Sequence, residues 1–106
     1  MTKPETEISP NLDDRDDQAL ALREGGCTYL TIAKELGMET ATLARKSYLR
    51  ALKRRSPEEQ EILRRFELHR FDALAAHIAS RQDLDEPEID RRLTAVDLLR
   101  RELLGN

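Results

Sequence analysis

The sequence is short of cysteine, aromatic residues and long apolar runs, and each shortage excludes a class of protein. Cys27 is the only cysteine, so no intramolecular disulfide can form, and we expect a reducing, intracellular compartment. No apolar stretch approaches the roughly 20 residues that cross a bilayer, and the first residues lack the pattern of a signal peptide, so we expect a soluble protein without membrane contact. Aromatic residues make up 4% of the chain and strand-forming runs are missing, which argues against a sheet.

The residue patterns of catalysis and metal binding are also missing. Gly25 and Gly26 are not followed by the Gly-Lys-Ser/Thr of a phosphate-binding loop. His69 and His77 lie eight residues apart on one predicted helix, about 12 Å by helical rise, and therefore cannot share a metal ion. His69 and Asp72 have the spacing of an acid/base pair, but no nucleophile accompanies them, and a surface hydrogen bond explains them better. We expect no enzymatic activity, no metal and no cofactor.

What the chain does contain is charge and helix-forming residues. Of its 106 residues, 37% are charged, and Leu, Ala, Glu and Arg predominate, which predicts an all-α fold. Residues 1–12 have two prolines and no periodicity, as expected of a disordered N-terminal arm. We predict a three-helix helix-turn-helix module in residues 13–55, followed by an antiparallel two-helix hairpin in residues 56–106.

The net charge of −3 hides an uneven distribution of charge along the chain. Residues 18–55 carry eight basic and three acidic side chains, whereas the segments on either side are acidic. Residues 45–55 contain six basic side chains and no acid. Electrostatic fields in salt solution decay over about 10 Å. The attraction of a phosphate to this patch therefore depends more on the local basic residues than on the sign of the chain's net charge. Two interpretations stay open, a phosphate-binding surface or a solvated helix face.

Capping residues divide the first half of the chain into three helices. The first helix is expected to begin near Asp13 or Asp14 and to end at the two glycines after Glu24. Thr28 caps a short second helix that stops at Gly37, and a third helix follows from about residue 40 to residue 54. The residues expected to face the core at helical spacing are Tyr29, Ile32, Ala33, Leu36, Met38, Leu43, Ala44, Ser47, Tyr48, Ala51 and Leu52.

The segment Thr-Tyr-Leu-Thr-Ile-Ala-Lys-Glu-Leu-Gly-Met-Glu-Thr-Ala-Thr-Leu, residues 28–43, resembles the helix-turn-helix of region-4-like and homeodomain-like DNA-binding proteins. Ala33 is small where two helices cross, and Gly37 permits the positive φ of a tight turn. The resemblance implies that the third helix enters the major groove. The residues expected at base edges are Thr40, Ala41, Thr42, Arg45 and Lys46, with Leu49 on the same face, and those expected at phosphates are Arg50, Lys53, Arg54 and Arg55. The alternative is a generic helical hairpin with a basic surface.

The second half of the chain begins with a helix start at Ser56, which is expected to cap, and Pro57, which suits the first helical position. That helix is expected to reach about Ser80 and has two apolar stripes, and a last helix opens at Pro87. Because two helices cannot bury three apolar stripes, we favour self-association over a hairpin that only completes the core of the first module. The candidate oligomerisation residues are Phe66, Phe71, Leu74, Ile78, Ile89, Leu93, Val96, Leu99 and Leu103.

A second resemblance rests on Glu-Ile-Leu-Arg-Arg-Phe-Glu-Leu-His-Arg-Phe-Asp at residues 61–72, Ile-Asp-Arg-Arg-Leu at residues 89–93 and Arg-Arg-Glu-Leu-Leu-Gly at residues 100–105. In this order, after a helix-turn-helix, the segments resemble small terminase-like proteins of actinobacterial phages and prophages, over roughly residues 18–105. The resemblance implies a multimer in the cytoplasm of a bacterial host cell. It would recognise the packaging site on double-stranded DNA and recruit a large terminase subunit.

Three functions are therefore open at this point. The first is a sequence-specific double-stranded DNA-binding protein that acts as a phage small terminase-like subunit. The second is a dimeric helix-turn-helix transcriptional regulator or excision-type factor. The third is a protein-interaction module, such as an inhibitor of a host factor.

Overall fold

A computed structural model describes residues 12–105 of the chain, and within that range it contains five α-helices and no strand. The all-α prediction is confirmed. The helices are α1 (Leu12–Glu24), α2 (Tyr29–Leu36), α3 (Ala41–Lys53), α4 (Pro57–Ala79) and α5 (Glu86–Leu103). The expected disordered arm, residues 1–12, lies outside the described residues except for Leu12, which is the first residue of α1. None of the helices in the described range has the length and apolar content needed to cross a lipid bilayer.

The described residues form two compact units, one ending at Ser56 and the other beginning at Pro57. In the first unit, α3 packs against both α1 and α2, which also contact each other. The buried apolar side chains of this unit are Ala19, Leu20, Ile32, Ala33, Ala44, Tyr48, Ala51 and Leu52. Half of them are alanines, which allow the helices to approach closely. Tyr29 closes one side of the core, its ring meeting the Tyr48 ring edge to face with centroids 5.9 Å apart.

Local backbone chemistry fixes the turn between α2 and α3. The Thr28 hydroxyl caps α2 by accepting a hydrogen bond from the Thr31 amide at 3.1 Å. Gly37 ends α2 in the left-handed conformation, with φ of 72°, and its N–H bonds to the carbonyl of Ala33. Thr40 then caps α3 by accepting from the Leu43 amide at 3.1 Å. The chain therefore turns from one helix into the next within residues 37–40.

Leu43 is a correction to the expected core. The sequence pattern placed it inside, but its side chain is 45% exposed. Because Thr40 caps α3, the core positions follow from Ala44 through Tyr48 and Ala51, at spacings of four and three. Leu43 is rotated about 100° from Ala44 and lines a shallow cleft of 260 Å³ together with Leu12 and Met38.

In the second unit, α4 and α5 pack against each other after a reversal of the chain in residues 80–85. The buried side chains are Leu63, Glu67, Phe71, Ile78, Val96 and Leu103. Asp85 caps α5 by accepting a hydrogen bond from the Glu88 amide at 3.0 Å, so that α5 begins at Glu86, one residue before the expected Pro87. Arg100 joins the two helices through a 2.7 Å ion pair with Asp72.

Candidate nucleic-acid interface

Helix α3 has a buried face and an opposite, outward face. Thr42, Lys46 and Lys53 are exposed and Leu49 is half-buried, and their spacings of four, three and four residues align them along one side of the helix. That side lies opposite the buried stripe through Ala44 and its successors. Four of the ten candidate DNA-binding residues are therefore brought together on one outward surface, which we call the α3 outer face.

Four other candidates surround the α3 outer face. Thr40 is exposed, but its hydroxyl oxygen caps the helix. Ala41 and Arg45 are half-buried in the first turns of α3, and Arg55 is half-buried just past its end. In consequence, cationic groups flank the outer face at both ends.

Arg50 points elsewhere, toward helix α1. Its guanidinium makes two hydrogen bonds to the buried Asp16 carboxylate, Nε to Oδ2 at 2.9 Å and Nη2 to Oδ1 at 3.0 Å. The Ser47 hydroxyl donates a further hydrogen bond to the same carboxylate. Burial raises the pKa of Asp16, but the hydrogen bonds from Arg50 and Ser47 and the Arg50 charge outweigh burial, and the pKa lies below its usual value. Asp16 is therefore ionised and holds Arg50 in a bidentate pair.

Arg54 is held by the same end of α1. Its Nη2 donates to Asp17 Oδ1 at 2.9 Å and to the Asp13 carbonyl at 3.1 Å, and its Nη1 lies 3.5 Å from Asp16 Oδ2. Desolvation lowers the pKa of Arg54, but the charges of Asp13 and Asp17 raise it by more. The net shift of the pKa is therefore upward. Two cations that the sequence assigned to phosphates are thus neutralised in an acidic cluster formed by Asp13, Asp16 and Asp17, which we call the α1 acid cluster.

The sequence did contain a signal for this pairing. The α1 acid cluster has the i, i+3, i+4 spacing of one helix face, and Arg50 and Arg54 have the matching i, i+4 spacing. From the sequence, Asp13 and Asp14 are expected only at the start of the first helix, and no role is predicted for Asp16 or Asp17. Spacing within each helix does not reveal that the two faces meet, because that depends on how α1 and α3 cross.

The candidate oligomerisation residues fall into three groups. Phe71, Ile78, Val96 and Leu103 are buried within the second unit, and Ile89, Leu93 and Leu99 are half-buried. Phe66 and Leu74 are exposed. Three further exposed large apolar side chains in this unit were not among the candidates, namely Ile62, Leu98 and Leu104.

Among residues 12–105, no three side chains of the metal-ligating types come together. Comparison of the chain with protein-family models, with curated proteins and with solved structures gives no match.

Proposed function

We propose that residues 12–56 bind duplex DNA as a helix-turn-helix module, with α3 as the helix that enters the major groove. The observation that supports this most is the α3 outer face, where Thr42, Lys46 and Lys53 are exposed in line opposite the core. Helix α3 has 13 residues and is about 20 Å long by helical rise. The major groove of B-DNA is wide enough to admit an α-helix. The tight turn at Gly37 leaves the N-terminal end of α3 at the surface, where recognition helices contact base edges.

The position of each side chain on α3 suggests its role in this complex. Thr42 and Lys46 lie in the first half of α3, where they would contact base edges, with Arg45 beside them. Lys53 and Arg55 lie at the far end of the helix, where cations contact phosphates and position the protein without specifying sequence. Arg50 and Arg54 hold α3 against α1 and contribute less to the DNA contact.

A binding experiment on the full chain tests the proposal. Duplexes that bind the protein are first selected from a pool of random sequences. Fluorescence anisotropy then measures the affinity of the protein for the selected duplex and for a duplex of shuffled sequence. We expect Lys46→Ala to weaken binding to the selected duplex roughly 5- to 100-fold and binding to the shuffled duplex much less. Lys34→Ala is the matched control, because it removes the same charge from an exposed lysine on α2 and is expected to leave both affinities nearly unchanged. Equal effects of the two variants, or no enrichment of any duplex, would contradict the proposal.

The resemblance to small terminase-like proteins supports a packaging role for this DNA contact. In that role a multimer recognises the packaging site, and a large terminase subunit is recruited as its partner. The alternative role is that of a dimeric transcriptional regulator or excision-type factor. Light scattering on the protein distinguishes them, since a ring of roughly eight or more subunits favours packaging and a stable dimer favours regulation. A protein that binds no duplex would instead be a protein-interaction module.

A further inference from the structure

Helix α4 has an exposed apolar stripe on the side turned away from its own core. Ile62 is 54% exposed and Phe66 is 61% exposed, and Ala73 and Ala76 are exposed further along the helix. With His69 between them, these positions repeat at alternating spacings of four and three residues, the repeat of a helix-packing seam. The core of the unit uses a different side of α4, through Leu63, Glu67, Phe71 and Ile78. We call the exposed stripe, formed by Ile62, Phe66, His69, Ala73 and Ala76, the α4 seam.

Side-chain size changes along the α4 seam in a way that favours one arrangement of two copies. Its large residues, Ile62 and Phe66, lie toward the start of the helix, and its small residues, Ala73 and Ala76, lie toward the end. An antiparallel second copy would set Phe66 against the partner's Ala73 and Ile62 near the partner's Ala76. Each large side chain then meets a small one, and the two helices stay at one separation along the seam. A parallel copy would set phenylalanine against phenylalanine and leave a gap between alanines.

Charge favours the same arrangement. Residues 57–65 carry three glutamates against two arginines, and Arg65 pairs with Glu61 at 3.1 Å, whereas residues 73–81 carry His77 and Arg81 and no acid. Arg81 forms an ion pair with Asp83 at 2.5 Å, which largely neutralises it. The electrostatic preference for antiparallel packing therefore comes mainly from the helix dipoles, because each positive helix end then lies beside a negative one. A parallel pair would instead bring Glu58 and Glu59 of both copies together at one end.

We propose that the α4 seam is a self-association surface whose partner is a second copy of this chain, packed antiparallel about a two-fold axis near His69. The interface is isologous, so one patch serves both copies and the assembly closes at two, which favours the dimeric regulator or excision-type role over the packaging multimer. The proposal concerns the second unit alone. It does not depend on DNA binding by the first unit.

Analytical ultracentrifugation of the full chain tests the surface. We expect the wild-type chain to sediment at micromolar concentration with twice the 12.2 kDa chain mass. Phe66→Glu is expected to raise the dissociation constant roughly 30-fold or more, because it places a charge in the centre of the contact. The matched control is Leu98→Glu, which makes the same kind of change at a 57% exposed leucine of α5 and is expected to leave the dimer intact. Circular dichroism of both variants checks that the helices are retained.

Cysteine crosslinking tests the direction of packing. In a Cys27→Ser background, His69→Cys lies at the two-fold axis and is expected to form a disulfide with the same residue of the partner under mild oxidation. Ile62→Cys is expected to stay reduced, because antiparallel packing separates the two copies of this position by about 20 Å along the helix. A disulfide through Ile62→Cys would overturn the antiparallel arrangement. A monomeric wild-type chain, as would result if the first unit of the same chain covered the seam, or a Phe66→Glu variant that remains dimeric, would overturn the surface itself.

Discussion

Asp16 has an environment unlike that of the other aspartates of α1. Its side chain is fully buried, whereas Asp13 and Asp17 are exposed. A buried carboxylate is costly unless it is paired and hydrogen-bonded, and Asp16 satisfies both conditions through Arg50 and Ser47. These partners lie 31 and 34 residues away on α3. The Asp16 carboxylate therefore connects α1 to α3, the helix proposed to contact DNA.

Replacing this carboxylate by an amide is expected to destabilise the module. Asp16→Asn retains the size of the side chain but places an NH2 group beside the Arg50 guanidinium, and we expect a loss of about 1–3 kcal/mol in the free energy of unfolding. Urea denaturation at neutral pH measures the loss. Asp14→Asn is the matched control, because it removes the same charge from an exposed position of the same helix and is expected to change stability by less than about 0.5 kcal/mol.

The lowered pKa of Asp16 also fixes how this difference depends on pH. A carboxylate whose pKa is lower in the folded than in the unfolded chain stabilises the fold above the unfolded pKa of about 3.9 and loses that contribution as pH falls through the folded pKa. We therefore expect the stability gap between the wild-type chain and Asp16→Asn to be full at neutral pH and to shrink as the pH is lowered below about 4. A gap that stays constant on acidification would mean that Asp16 does not act as an anion.

At the level of single residues, the sequence predicts what is local and misses what is tertiary. The caps at Thr28 and Thr40 follow from residue type and from the apolar residues that come after them. The burial of Asp16 does not, because an aspartate near a helix start is ordinarily solvated there. The burial of Glu67 in the middle of α4 does not follow either, because glutamate is rarely buried, and its 2.9 Å hydrogen bond comes from Arg70, one turn away on the same helix.

At the scale of elements, the turn between α2 and α3 depends on one glycine. Gly37 has φ of 72°, and a Cβ built on it would meet nothing within 4 Å. The cost of a side chain there is therefore backbone strain alone. We expect Gly37→Ala to lower the free energy of unfolding by about 1–2 kcal/mol, measured by thermal or urea denaturation.

Gly25→Ala is the control for that substitution. Gly25 follows α1 without a positive φ, and its Cβ would sit 3.4 Å from the Leu22 carbonyl oxygen, so we expect a much smaller effect. Equal losses in the two variants would mean that the left-handed conformation of Gly37 does not decide the result, because Gly→Ala at a position without a positive φ lowers only the entropy of the unfolded chain and does not destabilise the fold.

Helix α4 illustrates why its faces could not be assigned from the sequence. Its spacing indicates two apolar stripes, and Phe66 and Phe71 belong to different ones. Nothing in the spacing tells which stripe packs inside its own hairpin and which remains outside. The packing of α5 resolves this, burying Phe71 and leaving Phe66 exposed. The same limit explains why buried Val96 and Leu103 were predicted as interface residues.

At the scale of the whole molecule, the distribution of charge matters more than its sum. The chain is acidic overall, yet residues 12–56 carry nine basic and seven acidic side chains. The acidic excess of the second half is partly neutralised within its own helices, as in the pairs of Arg92 with Glu88 and Arg65 with Glu61. The positive field at the α3 outer face is therefore set mainly by which cations of the first unit are already paired.

The α1 acid cluster is accordingly expected to limit the affinity for DNA. Asp17→Asn removes the 2.9 Å partner of Arg54, which lies next to the end of α3, and leaves its guanidinium less neutralised and closer to a phosphate-binding role. If the first unit binds DNA as proposed, we expect tighter binding at low salt, and a plot of log affinity against log salt whose slope is steeper by about one. Asp90→Asn is the matched control, because it changes the net charge by the same amount at an exposed site on α5 and is expected to leave the slope unchanged. If the slope steepens equally in both variants, the net charge of the chain, and not the pairing of Arg54, governs the salt dependence of DNA binding. If the slope is unchanged in both variants, Arg54 does not reach the phosphates.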